Sequence, residues 1–200
     1  MTEHLMVQGE KNMKNIWIFM LMLLAVPASA DTVLLADFPN RLFELPGWRW
    51  QGLADTVMGG RSTLESPRIV MTDHGPALRL AGQVVTRGGG FIQVRLQRES
   101  EYFDGSGFSG IEVELDAAEG GRYYLFVRTA DNRLPWSYYS ALLDVSETRE
   151  TIRVPWSSFS SRGSWGGRSL RMESISSIAV VAAEEDFQAE LNLYQLGLYR

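Results

Sequence analysis

From residue 111 to residue 116 every second side chain is apolar: Ile111, Val113 and Leu115 alternate with Glu112, Glu114 and Asp116. The same beat runs through Ile92, Val94 and Leu96 against Gln93 and Arg95, and through Leu78 and Leu80 within 77–82. Successive side chains of an extended segment point to opposite faces. A period of two therefore gives one dry face and one wet face, the mark of antiparallel sheet. Further strand-like runs occupy 32–38, 69–72, 122–129, 136–143, 151–154 and 175–183. The last run, Phe187–Tyr199, alternates as Phe187, Ala189, Leu191 and Leu193, then changes phase to Tyr194, Leu196 and Leu198. A phase change inside one strand predicts a β-bulge.

Turn chemistry separates these runs: Met58-Gly59-Gly60, Gly88-Gly89-Gly90, and the glycine-bearing stretches 104–107, 119–121 and 164–167. No stretch keeps a helical period for three turns. Many short strands broken at such intervals predict an all-β, two-sheet sandwich closed as a jelly roll. With no internal repeat, low-complexity segment or linker, residues 31–200 read as one domain, large enough to bury a core without staples.

Residues 1–30 read differently. Lys14 and Asn15 precede an apolar run from Ile16 to Val26, which ends in Pro27-Ala28-Ser29-Ala30. That order predicts a secretory signal peptide cleaved after Ala30, with Met13 a better start than Met1. The run is about half of what a bilayer span needs, so no stable membrane span is expected after cleavage, and the expected location is periplasmic or secreted. The chain has no cysteine, which excludes thiol chemistry, thiolate metal sites and a lipoprotein anchor. Net charge is −5 and both lysines, Lys11 and Lys14, lie in the leader. The remaining basic residues are scattered arginines, which argues against a nucleic-acid groove.

One segment is more specific. Trp50 followed by Asp55-Thr56-Val57-Met58-Gly59-Gly60-Arg61-Ser62 resembles the hallmark of the complex I intermediate-associated protein 30 family, a tryptophan and then D-x-V-M-G-G-x-S. Leu80-Ala81-Gly82, Gly89-Gly90-Phe91 with Arg95, Pro155-Trp156 with Phe159, and 196–199 are similar to later family segments in order. The resemblance implies a galactose-binding-like jelly roll and a non-enzymatic assembly role for respiratory complex I. That assembly takes place on the matrix side of the inner membrane, so a signal peptide puts the named role, though not the fold, in doubt.

The residues themselves leave alternatives open. Asp55, Met58, Gly59, Gly60, Arg61 and Ser62 read either as a tight connection pinned by side-chain hydrogen bonds or as a contact surface for a partner. Gly90 and Arg95 belong to the same candidate region, with Arg95 either solvated or part of a polar face. Trp136, Tyr138 and Trp165 stand near expected loops, where aromatic rings serve carbohydrate-binding modules, whereas Trp156 and Phe159 read as core. Catalysis has little support: His74 is the sole histidine after the leader, and no G-x-S-x-G elbow accompanies it. Glu112 with Glu114 reads as a wet strand face, and Glu184, Glu185 and Asp186 read as a turn. No metal or cofactor motif is present, and Asp104, Asp131 and Asp144 lack calcium-loop spacing. The expected function is an exported, non-catalytic domain that binds a protein partner; the alternative is a carbohydrate-binding module.

Overall fold

The computed structural model describes residues 32–42, 44–118, 120–163 and 169–200. The expected leader, the 164–167 turn and Trp165 lie outside the described residues. The chain forms thirteen strands among the described residues: β1 (Thr32–Asp37), β2 (Trp48–Ala54), β3 (Thr63–Leu64), β4 (Arg68–Thr72), β5 (Gly75–Val84), β6 (Phe91–Arg98), β7 (Gly110–Ala117), β8 (Arg122–Thr129), β9 (Tyr138–Leu143), β10 (Glu150–Pro155), β11 (Ser160–Arg162), β12 (Ile175–Ala183) and β13 (Phe187–Tyr199). All pairings are antiparallel. One sheet runs β10-β7-β13-β5-β3, with β1 beside β13 and β4 beside β5; the other runs β11-β9-β8-β12-β6-β2.

The alternation read from the sequence sets the inner faces. Ile111, Val113 and Leu115 of β7, with Leu80 and Val84 of β5, meet Ile92, Val94 and Leu96 of β6 and Leu125 and Val127 of β8 in one continuous core. Trp156 and Phe159 are buried in that core, and the Trp156 indole N–H donates to the Phe108 carbonyl at 2.8 Å. Glu112 and Glu114 face outward, paired with Arg153 and Arg149 of the β10 side.

β13 carries the expected bulge. Leu193 pairs with Leu115, Gln195 with Glu114, and Tyr194 is the extra residue. Tyr194 is not in the inward phase. Its ring lies against the Arg149 guanidinium, 4.3 Å away, and its hydroxyl donates to Asp116 Oδ2 at 2.6 Å. The opposite oxygen of Asp116 accepts from Asn192 Nδ2 at 2.8 Å. A buried phenol needs such a partner, which an apolar core would not supply.

β2, which the alternation does not mark, pairs with β6 along its length. One expected boundary is corrected. β9 begins at Tyr138, not Trp136, because residues 134–137 form a turn closed by Ser137 N–H to the Leu134 carbonyl at 3.0 Å.

Tyr194→Phe should therefore lower stability by about 1–2 kcal/mol through loss of the Asp116 hydrogen bond. Urea denaturation followed by tryptophan fluorescence measures it; an unchanged midpoint would show that the hydroxyl contributes nothing.

Candidate binding cleft

The hallmark loop is built around one carboxylate. After β2 the chain turns through a 3-10 segment, Asp55–Met58, which ends at Gly59 with φ of 85°. The turn directs Asp55 inward, where it has no exposure. One carboxylate oxygen accepts the Ser62 backbone N–H at 2.9 Å. The other accepts the Ser62 hydroxyl at 2.9 Å and the Gly90 backbone N–H at 2.7 Å. Ser62, also buried, in turn accepts the Val85 N–H at 3.1 Å. Three donors offset the desolvation of a buried anion, which otherwise costs several kcal/mol.

The glycines follow from this packing. A side chain at Gly60 would collide with the Asp55 carboxyl group, and Gly90, at φ of 74°, would bring a Cβ within 2.7 Å of Thr86 Cα. The hallmark and the Gly88-Gly89-Gly90 turn are thus two halves of one structural lock. Asp55, Gly60, Ser62 and Gly90 hold the backbone, while Gly59 and Arg61 are exposed, neither of them lining the cleft described next.

The same turn pushes Val57 and Met58 to the surface, 68% and 43% exposed, at the rim of a cleft of about 410 Å³. The floor is the outer face of the six-stranded sheet. Strand β12 contributes only the small Ser177 and Ala179 there, opposite Gln97 and Arg95 of β6 and Arg128 and Phe126 of β8. Small residues between larger neighbours leave a trough. Phe126 and Tyr138 stack along one side, centroids 4.0 Å apart at 18°, and both line the cleft with Trp136. Trp136 is 52% exposed.

Arg128 explains where Trp136 stands. Its guanidinium donates to the carbonyls of Asn132, Leu134 and Pro135 at 2.7, 2.9 and 2.8 Å, gathering the loop that carries the indole. Arg95 also lines the cleft and is half-buried. Burial, reinforced by the neighbouring Arg128 charge, pushes its pKa down to about 10, so it remains a cation at neutral pH. Burial also raises the Tyr138 phenol above its usual range, keeping it a neutral hydrogen-bonding group.

The structure brings Met58, Arg95, Trp136 and Tyr138 together in one cleft. Gln93 and Phe126 were not singled out from sequence, although their alternation phase with Arg95 and Arg128 put them on the same wet face. Among the described residues, no three potential metal-ligating side chains cluster, and no helix is long and apolar enough to cross a membrane. His74 lies on the other sheet, in the β4–β5 turn, its ring edge-on to Tyr194.

A family model described as complex I intermediate-associated protein 30 matches residues 44–193. No curated protein matches the sequence. Among solved structures, the fold is similar to the family 11 carbohydrate-binding module of the cellulosomal cellulase Lic26A-Cel5E of Clostridium thermocellum. That match has a TM-score of 0.63 and 16% identity, over 86% of this chain and 96% of that one. A family 11 carbohydrate-binding module from Clostridium thermocellum in complex with a β-1,3-1,4-mixed-linked tetrasaccharide gives a TM-score of 0.60 at 14% identity, over 86% and 97%. A family 30 carbohydrate-binding module gives 0.51 at 15% identity, over 70% and 90%. At these identities the likeness establishes the β-sandwich fold.

Asp55→Asn should destabilise the domain by about 2–4 kcal/mol, since an amide replaces one acceptor with a donor facing N–H or O–H groups. Gly60→Ala should cost a similar amount by steric conflict with Asp55. Thermal unfolding of both variants measures this; wild-type midpoints would contradict the lock.

Proposed function

The chain belongs to the complex I intermediate-associated protein 30 family, and from that premise and the cleft on its six-stranded sheet we propose that it is a non-catalytic binding domain whose ligand is a glycan. The observation that carries this reading is the stacked Phe126–Tyr138 pair with the half-exposed Trp136 on one polar-floored cleft. An indole held half in water by a purpose-folded loop leaves apolar surface uncovered, which a sugar ring would cover with its flat C–H face while its hydroxyls meet the polar floor. The family 11 module of the same fold in complex with a mixed-linked tetrasaccharide supports a glycan as an occupant of such a sandwich.

A binding role without chemistry is supported by the state of the acidic groups. Glu112 and Glu114 are engaged by Arg153 and Arg149, and Glu184 accepts the Tyr124 hydroxyl. The lone histidine of 31–200 stands on the other sheet. A second reading, a protein partner as the family's name suggests, is favoured by the exposed apolar Val57, Met58, Leu134 and Trp136. Methionine and aromatic side chains are enriched in protein contacts. In both readings the domain works outside the cytosol, supported by the signal-like pattern of 14–30.

Two measurements check the proposal. In affinity electrophoresis against a panel of soluble polysaccharides, Trp136→Ala and Tyr138→Ala should each weaken retardation about tenfold with the fold intact. Absence of retardation on every polysaccharide would remove the glycan reading and leave the protein partner. Cell fractionation with N-terminal sequencing should recover a periplasmic or secreted chain beginning at Asp31; a cytosolic chain retaining residues 13–30 would overturn export.

A further inference from the structure

We infer that the cleft is built for an acidic glycan, with a sugar carboxylate on Arg95 and a hydroxyl of the same ring donating to Gln93. This rests on the glycan reading above and names the class of sugar.

Charge is the first observation. Three arginines line the cleft, Arg95, Arg128 and Arg162, against one carboxylate, Glu184. Glu184 is occupied at the cleft's edge, accepting the Tyr124 hydroxyl and lying 3.9 Å from Arg122. Arg128 directs three of its five N–H donors to the carbonyls of the 132–135 loop, and Arg162 Nε reaches the Ser140 hydroxyl at 3.3 Å. Arg95 has no hydrogen-bond or ion-pair partner among the described residues, yet burial and the Arg128 charge already weigh against its cationic form. A half-buried guanidinium beside a second one is electrostatically unfavourable, and an anion between them reverses the sign of that contribution.

The second observation is independent of charge. Gln93 is 3% exposed and lines the cleft, and its Oε1 is buried with no hydrogen-bond partner. An acceptor in that state needs a donor, which reaches Oε1 once the amide turns toward the cleft, and which a sugar hydroxyl is and a carboxylate is not. Gln93 and Arg95 are two residues apart on β6 and share a face, so their side chains rise roughly 7 Å apart along the strand. Across from Arg95 on β12 the short Ala179 lines the cleft, whereas Val181, across from Gln93, is buried in a cluster against which Phe91 and Phe126 pack. The floor thus offers an acceptor in want of a donor beside a cation in want of an anion, with Phe126 and Tyr138 next to them. A uronate ring carries all three complements: hydroxyl, carboxylate and an apolar face. A neutral sugar leaves the Arg95 charge unmet, and an acidic peptide such as polyglutamate has N–H donors for Gln93 but no flat ring face for Phe126 and Tyr138.

The test is isothermal titration of the full chain with oligogalacturonate, oligomannuronate, the methyl ester of each, a neutral mixed-linked glucan oligosaccharide and polyglutamate. At least one uronate should bind about tenfold or more tightly than its uncharged ester, and more weakly as salt rises. Arg95→Gln should abolish that preference, bringing the uronate's affinity down to the ester's without lowering the thermal midpoint; Gln93→Leu should weaken acid and ester alike. Equal affinity for acid and ester, or a preference that survives Arg95→Gln, overturns the inference. Binding confined to the neutral glucan overturns it while the glycan function stands. Polyglutamate binding as tightly as the uronates reduces the site to charge alone and overturns it too, and binding of no sugar at all removes both readings.

Discussion

A carboxylate with no access to solvent holds the loops beside the cleft in shape. Asp55 collects the backbone and hydroxyl donors of Ser62 and the N–H of Gly90, so two loops that are 35 residues apart in sequence share one anion. The arrangement dictates its neighbours. Gly60 and Gly90 cannot carry side chains without striking Asp55 or Thr86, and Ser62 must keep a hydroxyl to serve both Asp55 and Val85. With its polar side chain turned inward, the same turn must present Val57 and Met58 to the outside. In this chain the hallmark thus shapes the rim of the cleft, with Val57 and Met58 turned out onto it.

The cleft itself depends on a contrast in side-chain size across three strands. Ser177 and Ala179 in the middle strand are flanked by Arg95 and Gln97 on one side and Phe126 and Arg128 on the other. A sandwich with a larger residue at 179 would have a flat outer face. Arg128 adds the far wall by holding the carbonyls of the loop that bears Trp136. Chemistry and shape thus come from the same residues, and the face combines ring surfaces, a free acceptor and positive charge within one depression.

Much of this was legible before any coordinates. Alternation in 92–96 and 111–116 located the core strands because each has one wet face, and the phase change in 187–199 marked the bulge at Tyr194. What escaped did so for physical reasons. β2 is obscured because the apolar Leu53 lines the outer-face cleft while Gly52, in the phase of Trp48 and Trp50, carries no side chain. The lock was visible only as two alternatives, since nothing local tells Asp55 that its third donor is Gly90. Arg95 and Trp136 were picked out as exposed chemistry, but Gln93 and Phe126 were not. Their role depends on neighbours from β12 and β9 that only the sheet order brings alongside.

The outer face of the six-stranded sheet is the proposed working surface. A two-dimensional ¹H–¹⁵N NMR titration of the full chain with a bound oligosaccharide tests it most directly. The account predicts shifts concentrated at Gly89, Gln93, Arg95, Phe126 and Tyr138, with the outer face of β5, β7 and β13 unmoved. Shifts centred on that opposite face, around Arg79, Glu114 and Tyr194, would contradict it.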